Sequence, residues 1–112
     1  MNILSYQKKI VQFYQEKGWY ELEPFVRINF LTEEVGEISR AVRDIEIGRD
    51  RSDEKPKTQS EKYENLAEEI ADVLDNLLIL ADKYELHFER ILDEHLKKLY
   101  SRYPDSSPNH PD

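Results

Sequence analysis

Two acidic stretches hold the residues best placed to do chemistry. They are Leu31-Thr32-Glu33-Glu34-Val35-Gly36-Glu37-Ile38 and Leu66-Ala67-Glu68-Glu69-Ile70-Ala71-Asp72-Val73-Leu74. Each sets two carboxylates three residues apart, Glu34 with Glu37 and Glu69 with Asp72. A helix turns about 100° per residue, so such a pair diverges by about 60° and projects from one side. Like charges at this spacing repel and weaken an isolated helix. A lone Glu-x-x-Glu is common surface decoration, but here both pairs sit beside strongly apolar positions. A hard divalent cation held between the two helices accounts for the arrangement.

The ligand types narrow the chemistry. The chain has no cysteine, which excludes disulfides, zinc thiolates and thiol nucleophiles. Oxygen ligands alone favour magnesium, with manganese as a substitute, over zinc or copper. A di-iron bundle needs Glu-x-x-His motifs. The residues three before His87, His95 and His110 are Tyr84, Leu92 and Ser107, so that motif is absent. A Ser-His-Asp hydrolase has no nucleophile motif here, and the histidines lie far from the acidic stretches in the chain. Magnesium that keeps its waters mostly binds phosphates. It would let a chain of net charge −8 bind a triphosphate and would favour attack of water on phosphorus. The same charge argues against binding a nucleic acid polymer.

The elements that position these residues read as four helices in one domain over 1–103. A Pro-rich tail, 104–112, is expected to be disordered. The composition, with only three glycines, favours an all-α fold. Helix one spans Asn2 to Lys17 on the stripe Ile3, Tyr6, Ile10, Phe13 and Lys17, and Gly18 suits the C′ position. Trp19 follows, read as a plug over the bundle end and, compatibly, as a flat wall for a nucleobase. Helix two starts at Pro24 and runs to about Gly48, with the stripe Phe25, Ile28, Leu31, Val35, Ile38, Val42 and Ile45 flanked by Glu34 and Glu37. Gly36, between the two glutamates, suggests close approach of a helix or a ligand. Residues 49–59 form a charged loop, either a solvated linker or a cover for an anionic ligand.

Helix three opens at Thr58 or Ser60, with Thr58 and Glu61 in capping-box form, and runs to about Tyr84. It is the most apolar helix and so the central one, yet Glu69, Asp72 and Asn76 form a polar row along it. Helix four spans Phe88 to Arg102, its inner face being Phe88, Ile91, Leu92, His95, Leu96, Leu99 and Tyr103. Lys97, Lys98 and Arg102 complement its dipole. No apolar run reaches the roughly 18 residues of a membrane span. With no signal-peptide pattern either, a cytoplasmic protein is the expectation.

Glu33-Glu34-Val35-Gly36-Glu37, followed by Glu68-Glu69-Ile70-Ala71-Asp72-Val73-Leu74, resembles the signature of MazG-like nucleoside triphosphate pyrophosphohydrolases. These belong to an all-α superfamily with dimeric dUTPases, dCTP pyrophosphatases and phosphoribosyl-ATP pyrophosphatases. The resemblance covers Trp19 to Pro104, including the Arg102-Tyr103-Pro104 ending. It implies hydrolysis of a nucleoside triphosphate to monophosphate and pyrophosphate, as nucleotide-pool house-cleaning. Glu34, Glu37, Glu69 and Asp72 are the implied magnesium ligands, and Glu33 is implied to assist the attacking water. Trp19 falls where relatives place an aromatic against the base. Lys98 and Arg102 become phosphate contacts, and Asn76 a nucleoside contact.

The resemblance also implies a four-to-five-helix bundle completed by dimerisation, with a homotetramer as a further state. The chain departs from it at His95 and Leu99, where many relatives carry Lys and Asn, and in the 31 residues between Glu37 and Glu69. The rival from another class is a non-catalytic helical dimerisation or adaptor module that keeps the fold and some of the acids.

Overall fold

A computed structural model describes residues 1–48 and 55–106. Its elements are four helices, α1 (Ile3–Glu16), α2 (Pro24–Glu46), α3 (Gln59–Lys83) and α4 (Phe88–Arg102), then a 3-10 turn over Pro104–Ser106. No strand occurs among the described residues. The fold is all-α. Part of the tail expected to lack structure is therefore ordered as that turn, and 107–112 lie outside the described residues, as does 49–54 of the charged loop.

The helix ends follow from local chemistry. Asn2 caps α1, its Oδ1 accepting from Ser5 N at 2.8 Å. Gly18 takes φ +78°, a left-handed conformation that lets the chain leave α1 without a Cβ clash. Pro24 occupies the first turn of α2, where its missing N–H costs nothing. Thr58 and Glu61 close a reciprocal capping box on α3. After α3, Glu85 at φ +59° turns the chain, and Leu86 N donates to Ala81 O at 2.8 Å.

The centre of the fold is an antiparallel α2–α3 hairpin, to which α1 adds on the α3 side and α4 on α1. Buried Gln7 ties three elements. Its Nε2 donates to Leu78 O (3.1 Å) and Leu86 O (3.3 Å), and its Oε1 accepts from Phe88 N at 2.9 Å. As the apolar pattern required, α3 is the central helix, packing on both α1 and α2 and burying Leu78, Ile79 and Ala81.

The inner face of α2 differs from the stripe read in the sequence. The residues turned inward are Arg27, Leu31, Glu34, Ile38, Ala41 and Ile45, which step by four and three, while Ile28, Val35 and Val42 are 36% or more exposed. On α3, Tyr63, Ile70, Leu77 and Tyr84 point outward, again seven residues apart. Most of the face expected to be internal on α4 is also exposed: Leu92, His95, Leu96, Leu99 and Tyr103. The approach expected at Gly36 is not made within the chain, since a Cβ built there meets nothing within 4 Å.

Candidate metal and nucleotide site

Because α2 and α3 run antiparallel with both inner stripes stepping by three and four, Glu34 comes to lie opposite Glu69 and Asp72. Ligand oxygens of Glu34, Glu69 and Asp72 lie within 4.8 Å of one another, and all three side chains are half-buried. Burial raises the Glu34 carboxyl above its ordinary value, and a hydrogen bond with Glu69 and the charges of Asp72, Glu69 and Glu37 raise it further. Crowding by like charges thus favours the protonated form of Glu34 relative to an isolated carboxyl. Three carboxylates with no lysine or arginine among them make a hard-oxygen site that suits magnesium or manganese.

The other predicted residues are distributed around this centre. Glu37 is exposed and outside the three-way convergence, although its charge is felt by Glu34. It lines a polar cavity of about 230 Å³ together with Arg40, Asp44, Lys57 and Asn65. Glu33 is exposed beside Glu34. Trp19 is 48% exposed. Its ring is held edge-on by Phe13 (5.9 Å) and Tyr14 (5.4 Å between centroids). Asn76 is buried and committed within the chain. Its Oδ1 accepts from Arg27 Nη1 at 3.1 Å, and its Nδ2 donates to Asp72 O at 3.0 Å. Lys98 and Arg102 are exposed on α4, which packs on α1 and the 3-10 turn rather than on the carboxylate helices.

Sequence reasoning missed Arg27. It is 2% exposed, donates Nη2 to Trp19 O at 2.5 Å and sits 5.4 Å from the Tyr14 ring centroid. Its Nε has no hydrogen-bond partner. Burial lowers its pKa, and nearby Tyr14 and Tyr20 oppose that. A chain of side-chain hydrogen bonds thus joins the Trp19 carbonyl through Arg27 and Asn76 to the Asp72 carbonyl. The available signal was the spacing Arg27–Leu31–Glu34–Ile38, which places a cation in line with the inner stripe.

Tyr6 and Asp75 were also missed as a pair. Tyr6 OH donates to Asp75 Oδ1 at 2.5 Å. Burial first, and then this bond and charge, push the phenol up to about 12. Burial raises Asp75, against the opposing effect of the Tyr6 bond, and Asp72 and Glu68 add to the rise. Tyr14 is raised chiefly by burial, with Asp75, Asp72 and Glu34 contributing, so the aromatic corner carrying Trp19 feels the acidic centre directly.

A profile of the MazG nucleotide pyrophosphohydrolase domain matches residues 26–107. The chain belongs to the MazG family. The match takes in nearly all of α2, then α3 and α4, with Glu33, Glu34, Glu37, Glu69 and Asp72, whereas Trp19 and α1 precede it. The chain is 45% identical to the Bacillus subtilis (strain 168) "Uncharacterized protein YvdC" over 103 residues, 92% of this chain and 97% of that one. It is 35% identical to "Uncharacterized protein YpjD" of the same organism over 90 residues, 80% of this chain and 74% of that one. No solved structure gives a significant match. The three converging carboxylates lie on facing turns of α2 and α3 within the matched stretch. Among the described residues no helix is long and apolar enough to cross a membrane.

Proposed function

We propose that the protein is a magnesium-dependent nucleoside triphosphate pyrophosphohydrolase that converts a (deoxy)nucleoside triphosphate to the monophosphate and pyrophosphate. The observation that carries this reading is the convergence of Glu34, Glu69 and Asp72 within 4.8 Å in a domain of the MazG nucleotide pyrophosphohydrolase family. Those three residues would hold the ion, with Glu37 at its margin. When bound, the ion supplies Lewis acidity and positive charge toward the phosphates.

The chain's own residues supply the rest. Glu33, exposed beside the site, takes the proton of the attacking water. The water oxygen bonds to the α-phosphorus, and the bond from that phosphorus to the α,β-bridging oxygen breaks. Pyrophosphate leaves with the electron pair. Trp19, fixed edge-on by Phe13 and Tyr14, offers its exposed surface to the base. Asn76 acts as a positioning residue, holding the Asp72 carbonyl through Nδ2.

The working form is a homodimer, with a tetramer as a further state. Outward Ile28, Val35 and Val42 on α2 and Tyr63, Ile70, Leu77 and Tyr84 on α3 repeat at seven-residue spacing, as helices that pack on a second chain do. Exposed Leu92, Leu96 and Leu99 on α4 add to that surface. A second chain would also bring another copy of Lys98 and Arg102 to the assembly. A non-catalytic adaptor would share these apolar faces but would have no use for the converged carboxylates. Thermal unfolding with magnesium and a non-hydrolysable triphosphate analogue separates the two readings. A rise in melting temperature that needs both components supports the hydrolase, and indifference to both supports the adaptor.

A further inference from the structure

The polar cavity beside Glu37 has no role in the reading above. It lies where the C-terminal half of α2 faces the start of α3, and Arg40, Asp44, Lys57 and Asn65 line it with Glu37. Arg40 makes no ion pair among the described residues. Lys57 Nζ stands 3.3 Å from Asp44 Oδ2, near enough to pair charge. It is not aligned as a hydrogen bond, which leaves that buried oxygen without a donor. The cavity thus holds one uncommitted guanidinium and an ammonium with donors to spare.

Its place along α2 gives it meaning. Arg27, which anchors the Trp19 carbonyl, is seven residues before Glu34, and Arg40 is six after it. At the helical rise these offsets are about 10 Å and about 9 Å on opposite sides of the carboxylates. A nucleoside triphosphate with its base at the Trp19 end and its α-phosphate at Glu34 would carry its outer two phosphates toward the cavity. The volume of about 230 Å³ is several times the roughly 30 Å³ share of one water, which leaves room for a diphosphate and some of its hydration. A guanidinium presents paired donors that match phosphate oxygens. Glu37 and Asp44 add negative charge, so the cavity suits an anion that arrives with a divalent cation and disfavours a bare one.

We infer that this cavity seats the diphosphate portion of the substrate, gripped by Arg40 with Lys57 as the second cation. The inference rests on the proposed pyrophosphohydrolase reading and adds the residues that would receive the leaving group. Neither Arg40 nor Lys57 belongs to the carboxylate signature.

The test is calorimetric titration of inorganic pyrophosphate, with and without magnesium, into the full chain, Arg40→Gln and Lys57→Gln. A nucleoside monophosphate serves as the control ligand. Magnesium-dependent pyrophosphate binding should weaken by about tenfold or more in Arg40→Gln, the loss of a charge-assisted contact, with monophosphate binding unchanged. Lys57→Gln should weaken pyrophosphate in the same direction. Arg40 is exposed, so its variant should unfold at the wild-type temperature. Pyrophosphate binding that is absent from the wild type, or that survives both substitutions, overturns the inference, as does equal weakening of the monophosphate. Selective loss of pyrophosphate binding in a protein that hydrolyses no triphosphate would uphold the cavity and remove the hydrolase. Hydrolysis with pyrophosphate affinity unchanged by both substitutions would do the reverse.

Discussion

Replacing Glu34 with glutamine should make the metal-free protein more stable and abolish its response to magnesium. The structure places ligand oxygens of Glu34, Glu69 and Asp72 within 4.8 Å. Two unit charges at that separation repel by about 3.5 kcal/mol at an effective dielectric of about 20, and by about 0.9 kcal/mol in bulk water. The side chains are only half-buried, so solvent screens the repulsion and the lower end of that range applies. Glutamine removes the charge with little change in shape. A gain of about 1 kcal/mol corresponds to roughly 4 °C in a domain of this size.

Magnesium reverses the order. At one hundred times its dissociation constant a ligand adds about 2.7 kcal/mol to the form that binds it. The wild type should therefore melt below Glu34→Gln in a chelator and above it in saturating magnesium. Differential scanning calorimetry of both proteins in both buffers reads out the crossing. A variant that melts at or below the wild type in chelator would show that these carboxylates are not in conflict. A variant that gains as much from magnesium as the wild type would remove Glu34 from the metal site.

Further outcomes follow from the same geometry. In chelator, the wild type should lose stability as pH rises from the ordinary glutamate value of 4.5 through the raised Glu34 value, because the folded form holds that proton more tightly than the unfolded chain does. The slope should flatten in Glu34→Gln, and a pH-melting series checks it. Arg27→Met leaves Asn76 Oδ1 without its arginine donor and Trp19 O with only the long bond from Leu22 N at 3.4 Å, at a net cost of about 1–3 kcal/mol. Because Trp19 is the sole tryptophan, a shifted emission spectrum should accompany that loss, and an unchanged one would mean the Trp19 turn is held by other contacts. Gln7→Ala removes the partner of three backbone groups and should cost about 1–3 kcal/mol, measurable by urea denaturation. Trp19→Ala should weaken nucleotide binding more than magnesium binding in parallel titrations, whereas equal loss of both with a lowered melting temperature would make the ring a structural plug alone.

Several helix boundaries were legible because they have a local chemical cause, unlike the start of α4, where Gln7 accepts from Phe88 N across the fold. The Thr58–Glu61 box, Pro24 and Gly18 are read from their neighbours without knowledge of the tertiary fold. The acidic centre was legible for a different reason. Two pairs of carboxylates three apart beside apolar positions stand out from ordinary surface decoration, and three of the four, Glu34, Glu69 and Asp72, converge. What sequence could not decide was which of two apolar stripes on α2 faces inward. Ile28–Val35–Val42 and Leu31–Ile38–Ile45 have the same period, and only packing tells them apart.

That ambiguity hid Arg27, since an arginine in the first turn of a helix ordinarily reads as solvent-facing. It also misassigned α4, whose Leu92, Leu96 and Leu99 look like core but stay exposed in one chain. Asn76 was correctly singled out as anomalous on the central helix. Its partner Arg27 lies 49 residues away in sequence, beyond the reach of local pattern.

The most direct test of the whole account is product analysis on a panel of ribo- and deoxynucleoside triphosphates, using a method that separates pyrophosphate from orthophosphate. Magnesium-dependent release of pyrophosphate with the matching monophosphate is expected, lost in Asp72→Asn while the helical spectrum is retained. Orthophosphate with a nucleoside diphosphate, or full activity in Asp72→Asn, would contradict it.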